Sequence, residues 1–472
     1  MRDEACLFFV ENRTQITLDL IYKLSRDADG KKFIVMDVSS FYYPSPAPWS
    51  VPGILGKPEK KMTRLIEKLG GTYVDARQFS PTDVLSLEMS PSELERVNIS
   101  IRSTIVSEYL RGVRPGGRPS FGERRVERRL AVKSRNLYSL TLKAIETYGA
   151  TKVFLANERF APLHSVLLAA EKKSVEVIFY GVSASSDGRF FQSANRSHDR
   201  VQNQESAIAA TSEMTSDELK ITADEILSRR RSGNVFSSFW EVDSRVEDLS
   251  LGPLALFATS SADETESLDL NWNEAIWLDQ YDAFGHIWQA LSDRALTPVL
   301  RVHPNLLNKG PRAALREMSR IRQFQRENPQ FKIVWPSSPV STYRLISSSE
   351  VVIVENSTVG VEASAQGLPV ICANSCDYDV IADVIRVHGP KDLPKLKNFR
   401  KDPSPTGAHR YIVFSEVSRE DVEMNRLGVH LSKSSSLKVL FRSTLDGSFL
   451  SGIFELRWKV FRRFLIAVTP KE

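Results

Sequence analysis

Three short stretches carry residue types that could hold an anionic substrate: ENSTVGVE (355–362), RVHPN (301–305) and ATSSADE (258–264). Each begins where a run of apolar residues with strand character, VVIV, PVL or PLALF, gives way to polar ones. In the first, Asn356, Ser357 and Thr358 supply polar side chains at the expected start of a helix, where free N–H groups and the helix dipole favour a phosphate. Gly360 would let a ligand approach the backbone, and Glu362, about one turn further on, would accept hydrogen bonds from ribose hydroxyls. In the second, Pro304 ends the strand and leaves Arg301, His303 and Asn305 at its edge. Arg301 suits bidentate pairing with a phosphate, and His303 can donate to a phosphate oxygen or carry a proton. The third offers the hydroxyls of Thr259, Ser260 and Ser261. The spacing matches neither the P-loop nor the dinucleotide glycine fingerprint. Taken singly, each stretch also fits a plain cap or turn, with Ser357 as an N-cap. Their coincidence on one sheet edge is what points to a site.

A second group lies upstream, in LANERF (155–160) and SANRSHD (193–199). Asn157, Arg159 and His198 are candidates for contacting an acceptor. Asp37, Glu158, His198 and Asp199 are candidate general bases, and spacing does not choose among them. The three cysteines, Cys6, Cys372 and Cys376, are too few for a disulfide framework, which suits a reducing, cytoplasmic setting. Around Cys372 and Cys376 no further Cys or His falls at zinc spacing, so no metal is expected.

Strands separated by helices must position these residues. Strands are expected at 6–11, 31–38, 151–157 and 175–181, and again at 253–260, 298–304, 331–336, 351–356 and 369–374. The segment 60–148 reads as mostly helical, and helices fit at 161–173, 216–231, 272–294, 309–328, 341–349 and 358–366. This alternation predicts parallel sheets covered by helices on both faces. A chain of 472 residues is long enough for two such units. The expected division is an N-terminal Rossmann-like domain over 1–245, a C-terminal one over 252–450, and an amphipathic helix over 451–472. In that tail Phe454, Trp458, Phe461 and Leu465 gather opposite Glu455, Lys459 and Arg462, which suits docking on the protein or on an anionic membrane surface.

The formal charge of +5 is modest, but Arg111 to Arg135 concentrates nine basic residues against Glu123 and Glu127. Phe121 is the one aromatic residue in the block, too few for base stacking, so nucleic acid is not the expected partner. A solvated helix face, or a surface for an anionic glycan, phospholipid or nucleotide, fits the block. The opening MRDEACLFFVENR has too short an apolar run for an export signal, and no stretch reaches the length of a membrane span.

The run FATSSADE, Trp277 and Gln280 with Ala283-Phe284, RVHPN, STYRLI and ENSTVGVEASAQGLPVI resembles the C-terminal domain of bacterial capsular and surface-polysaccharide glycosyltransferases. ENR (11–13), NERFAP (157–162) and NRSHD (195–199) are similar to stretches of the same group. The resemblance implies a GT-B fold, two Rossmann-like doubly wound domains facing a cleft. It implies a nucleotide-sugar donor on the C-terminal domain and a glycan or lipid-linked acceptor mainly on the N-terminal one. It also implies metal-independent transfer with no cofactor, by a cytoplasmic protein peripheral to the inner face of the cell membrane. Carried over, Ser357 and Thr358 would hold the donor phosphate, Glu362 the ribose, and His303 the region near the sugar or its phosphate. The expected donor-binding residues are Thr259, Ser260, Ser261, Gln280, Arg301, Asn305, Asn356, Ser357, Thr358 and Gly360; His303, Glu362 and Asp199 are the catalytic candidates. Two features depart from the group. Glu158 stands where a glycine is expected, and Glu355 and Glu362 are one residue closer than the glutamate pair of retaining enzymes. Nucleotide-sugar 2-epimerases share the His-Pro-Asn strand end, but their paired glutamates are absent here. A non-catalytic subunit of a polysaccharide assembly complex is the reading from another class.

Overall fold

A computed structural model describes residues 5–10, 21, 25, 32–38, 60–76, 89–109, 121–156, 158–182, 190–193, 196, 199–231, 252–261, 275–304, 306, 311–338, 340–398, 403–417 and 419–420. The tail helix expected over 451–472, and Asn157, His198 and Asn305, lie outside these residues.

The first sheet is built from β1 (Ala5–Val10), β2 (Lys32–Asp37), β3 (Thr72–Asp75), β4 (Ala150–Leu155), β5 (Glu176–Val182) and β6 (Phe190–Ser193), with β13 (Arg419–Glu420) at its edge. Its order is β13-β6-β5-β4-β1-β2-β3; β6 and β13 run antiparallel to their neighbours and the rest is parallel. The helices of this part are α1 (Lys60–Lys68), α2 (Pro91–Tyr109), α3 (Phe121–Tyr148) and α4 (His164–Lys172). Leu7, Phe9, Ile34 and Met36 pack with Leu137 and Leu140 of α3 and with Val166 and Leu167 of α4.

The second sheet contains β7 (Leu254–Ala258), β8 (Thr297–Arg301), β9 (Lys332–Val334), β10 (Ser349–Val354), β11 (Val370–Cys372) and β12 (Ile385–Arg386). Every pairing in it is parallel, in the order β12-β11-β10-β7-β8-β9. Read from the other edge this is strand order 3-2-1-4-5-6, the doubly wound Rossmann arrangement. Its helices are α7 (Gln280–Leu291), α8 (Pro311–Glu327), α9 (Thr342–Ser347) and α10 (Thr358–Ala365). Both faces are buried, as alternation along the strands requires. Leu254, Leu256, Val352 and Val354 enter one core, while Ala255, Phe257, Val351 and Ile353 enter the other. Phe257 meets Phe284 and Phe331 edge-on at 5.4 and 4.9 Å between ring centroids.

The fold is therefore α/β with two Rossmann-like sheets. The chain crosses between them twice. After β6 come α5 (Arg200–Ala210) and α6 (Ser216–Arg231), and Leu219, Ala223, Ile226 and Leu227 of α6 pack in the core of the second sheet. The final described helix, α11 (Thr406–Val417), lies against α6 and α10, and β13 then returns to pair with β6. A division at 245–252 thus differs from the packing: α6 lies before it and β13 after it. The apolar stripe of α6 covers a face of the second sheet that would otherwise meet water.

Candidate functional site at the edge of the second sheet

In the second sheet β7 leads outward to β8 and β9, and the chain then returns to the other side of β7 through β10. The loops after β7 and β10 therefore diverge at the switch point of a doubly wound sheet, where ligands of this fold bind. The three polar stretches meet there. The backbone N–H of Asn356 donates to Ser260 Oγ (2.8 Å), joining the loops after β10 and β7. The N–H of His303 donates to Thr259 Oγ1 (2.8 Å), and that of Thr259 to the Arg301 carbonyl (3.1 Å), which joins β7 to β8. Gln280 completes the frame: Ser260 N–H donates to its Oε1 (2.9 Å), and its Nε2 donates to the Ser260 carbonyl (3.3 Å). Thr259, Ser260, Ser261 and Gln280 are all buried, so these residues shape the edge from beneath.

Helix α10 opens at the same place. Ser357 is its N-cap, with extended backbone and Oγ accepting from Val359 N–H, and Thr358 is the exposed first helical residue. Gly367, at φ +76°, ends the helix in the left-handed conformation and lets Leu368 and Pro369 turn into β11.

Several side chains stand elsewhere than the sequence suggests. Arg301 is 2% exposed; its Nε donates to Thr342 Oγ1 (3.1 Å) and a terminal nitrogen to the Trp335 carbonyl (2.8 Å), so it braces β8 against the loop after β9. Gly360 faces packing and not ligand space: a Cβ there would lie 2.1 Å from the Tyr378 hydroxyl and 2.9 Å from Val354 Cγ2. That hydroxyl donates to the Ser357 carbonyl (2.7 Å) and fixes the helix start. Glu362 is 1% exposed and is held by Arg230 of α6 at 3.2 Å, which also reaches Glu416 of α11 at 3.1 Å. Burial raises the Glu362 carboxyl and the Arg230 charge opposes that rise. The sequence offers no means of pairing residues 132 positions apart. Asp199 caps α5, accepting from Gln202 N–H at 3.1 Å.

Burial, with the Arg301 charge, lowers the His303 imidazole to about 4, so the ring is neutral at pH 7. It can accept or donate one hydrogen bond without carrying charge.

The sequence reading missed Asp377, in the SCDYD run that follows β11. Its N–H points to Asn356 Oδ1 (3.4 Å), which places it beside the switch-point loop. Burial lifts its carboxyl from 3.8 to about 6; the Asp379 charge adds to the rise, and Arg159 and Arg200 oppose it. Arg159 follows β4 of the first sheet, so residues from both sheets act on this carboxylate. Its signal in the sequence is an acidic residue just past a buried strand of the second sheet. Arg200 of α5 clamps the neighbouring Asp379 with 2.7 Å contacts to both carboxylate oxygens, and Gln204 Oε1 accepts from Val380 N–H (2.7 Å). Asp377 is therefore held on a loop fixed by α5. Arg159 itself lies over the Phe160 ring, 4.4 Å from its centroid. Asp37 and Glu158 are buried. Among the described residues no three His, Cys, Asp or Glu side chains are grouped to hold a metal ion.

The fold and this edge define a two-sheet α/β protein whose switch point is lined by hydroxyl side chains and a helix start. No protein-family model matches the chain, and no curated protein matches it. Among solved structures it is similar to KpsC, a β-Kdo 2,4 transferase of Thermosulfurimonas dismutans, at 13% identity and TM-score 0.38, covering 56% of this chain and 79% of that one. It is also similar to UDP-GlcNAc 2-epimerase of Methanocaldococcus jannaschii, at 11% identity and TM-score 0.29, covering 86% and 98%. The corresponding enzyme of Neisseria meningitidis, bound to UDP-GlcNAc, gives 10% identity and TM-score 0.28, covering 88% and 99%. At these identities and scores none bears on the substrate or reaction of this chain.

Proposed function

We propose that the protein is a glycosyltransferase that moves a sugar from a nucleotide-sugar donor to a growing surface glycan, capsular or lipopolysaccharide. One observation carries the reading: at the switch point of the second sheet, Ser260 and Asn356 bind the two diverging loops together beside the start of α10 and the Asp377 carboxylate. The donor phosphate lies at the N-terminus of α10, where Thr358 adds a hydroxyl and the helix dipole stabilises the charge that grows on the leaving phosphate. His303 donates or accepts as a neutral imidazole near the sugar. Asp377 receives the proton of the acceptor hydroxyl as that oxygen bonds to the anomeric carbon and the bond to phosphate breaks. The acceptor, a glycan or lipid-linked glycan, approaches from the first sheet, where Arg159 lies. The reaction needs no metal and no cofactor in this reading, and activity persists in excess chelator. The protein acts in the cytoplasm.

Ser357→Ala and His303→Ala are each expected to lower transfer at least tenfold, about 1.4 kcal/mol, as for a lost hydrogen bond to a charged group. Unchanged turnover in both would overturn the donor-site assignment. Sugar isomerised in the free nucleotide-sugar, with no acceptor present, would instead favour a 2-epimerase. Nucleotide binding without turnover would favour a non-catalytic subunit.

A further inference from the structure

Helix α3 opens with a block of arginines that the proposed site does not use. At about 100° per residue, Arg124, Arg125, Arg128, Arg129 and Arg135 fall within about 140° of its circumference, with Val132 near the middle. All five arginines are exposed, and Val132 is 57% exposed. The opposite side carries Val126 and Leu130, which pack with Val97 and Ile101 of α2. Glu127, also exposed, lies outside the arc. Among the described residues none of the five arginines has a hydrogen-bond or ion-pair partner, whereas Glu146, near the other end of α3, pairs with Lys173 at 2.6 Å.

The helix does not need this charge. Arginines in its first turns stand at the positive end of its dipole, where acidic residues are the stabilising ones. Five like charges over about 17 Å of helix also repel one another. A partner that supplies many negative charges over a broad area removes both penalties.

We propose that this face of α3 docks on an anionic phospholipid surface, with the arginines at headgroup phosphates and Val132 at the boundary with the acyl chains. An apolar residue centred in a basic arc suits an interface with an apolar layer beneath the charges. A nucleic-acid backbone would leave Val132 against phosphates, and no aromatic residue lies between Arg124 and Arg135 to stack on bases. Among the described residues no helix is long and apolar enough to cross a membrane. The inference goes beyond the proposed function and does not depend on it.

The test is co-sedimentation of the full chain with vesicles of phosphatidylcholine alone and of phosphatidylcholine mixed with phosphatidylglycerol. Binding is expected only to the mixed vesicles and should weaken as salt is raised. Arg124→Gln/Arg128→Gln/Arg135→Gln should lower the affinity about fivefold per charge, roughly a hundredfold in all. The corresponding triple Lys variant should keep most of it, since the attraction is to charge. Val132→Asn should weaken vesicle binding while leaving the salt dependence unchanged. Equal binding to neutral vesicles, binding unaffected by the Gln variant, or loss of binding in the Lys variant would each overturn the proposal. So would tighter binding to duplex DNA that Val132→Asn does not affect.

Discussion

Asp377 and Gly360 show how much of the site is decided by single side chains. A carboxyl raised to about 6 keeps its proton to higher pH than an ordinary Asp, so the ionised base accumulates as pH rises through that value. Transfer should therefore fall on acidification below about 6, and Asp377→Asn should abolish the acid limb and lower the rate by about a hundredfold. The same shift favours the folded state below 3.8, an advantage lost as pH rises through about 6. His303, held near 4, stays neutral across this window and cannot supply the limb. A pH–rate profile of Asp377→Asn that keeps the limb would remove Asp377 from the reaction. Gly360→Ala would press a methyl into Tyr378 and Val354, costing about 1–3 kcal/mol in urea unfolding. Because the displaced Tyr378 hydroxyl holds the Ser357 carbonyl, nucleotide affinity should fall with it. At this scale the sequence was legible where a residue's role is local, as in the N-cap at Ser357. It was not legible where the role depends on a distant partner, as with Arg301, Glu362 and Asp377.

Between the residues and the whole chain, the elements of the second sheet followed the pattern of apolar runs closely. PLALF, PVLR and VVIV are strands because both faces of a parallel sheet are buried, and such strands read as continuous apolar runs. β3 escaped the reading because four residues, Thr72–Asp75, sit within a segment dominated by helical spacing. β13 is two residues whose pairing with β6 no local pattern could announce. The packing of α6 against α10 and α11 rests on a buried triad, Arg230 with Glu362 and Glu416. Arg230→Met should remove the cation that lies between two buried carboxylates and destabilise the protein by about 3–5 kcal/mol. Adding Glu362→Gln and Glu416→Gln should recover much of that loss. Equal urea midpoints for wild type and Arg230→Met would show that the triad holds nothing together.

Over the whole molecule, alternating strands and helices announced two parallel α/β sheets, while the exchange of elements between them came only from tertiary contacts. α5 is the physical link. Arg200 and Gln204 fix the 376–381 loop of the second sheet, and this loop carries Asp377 toward Arg159 of the first. The central claim is that the start of α10 and the loops tied to it hold the phosphate of a nucleotide-sugar. Titration calorimetry against UDP, CMP, CDP, GDP and their sugar conjugates tests it most directly, with wild type, Ser357→Ala and the isosteric Thr358→Val compared. The expected result is that one nucleotide binds and that both variants bind it at least tenfold more weakly, while Thr358→Val unfolds at the wild-type urea concentration and Ser357→Ala, without its N-cap, is about 1 kcal/mol less stable. Binding of none of these nucleotides, or equal binding by all three proteins, would contradict the account.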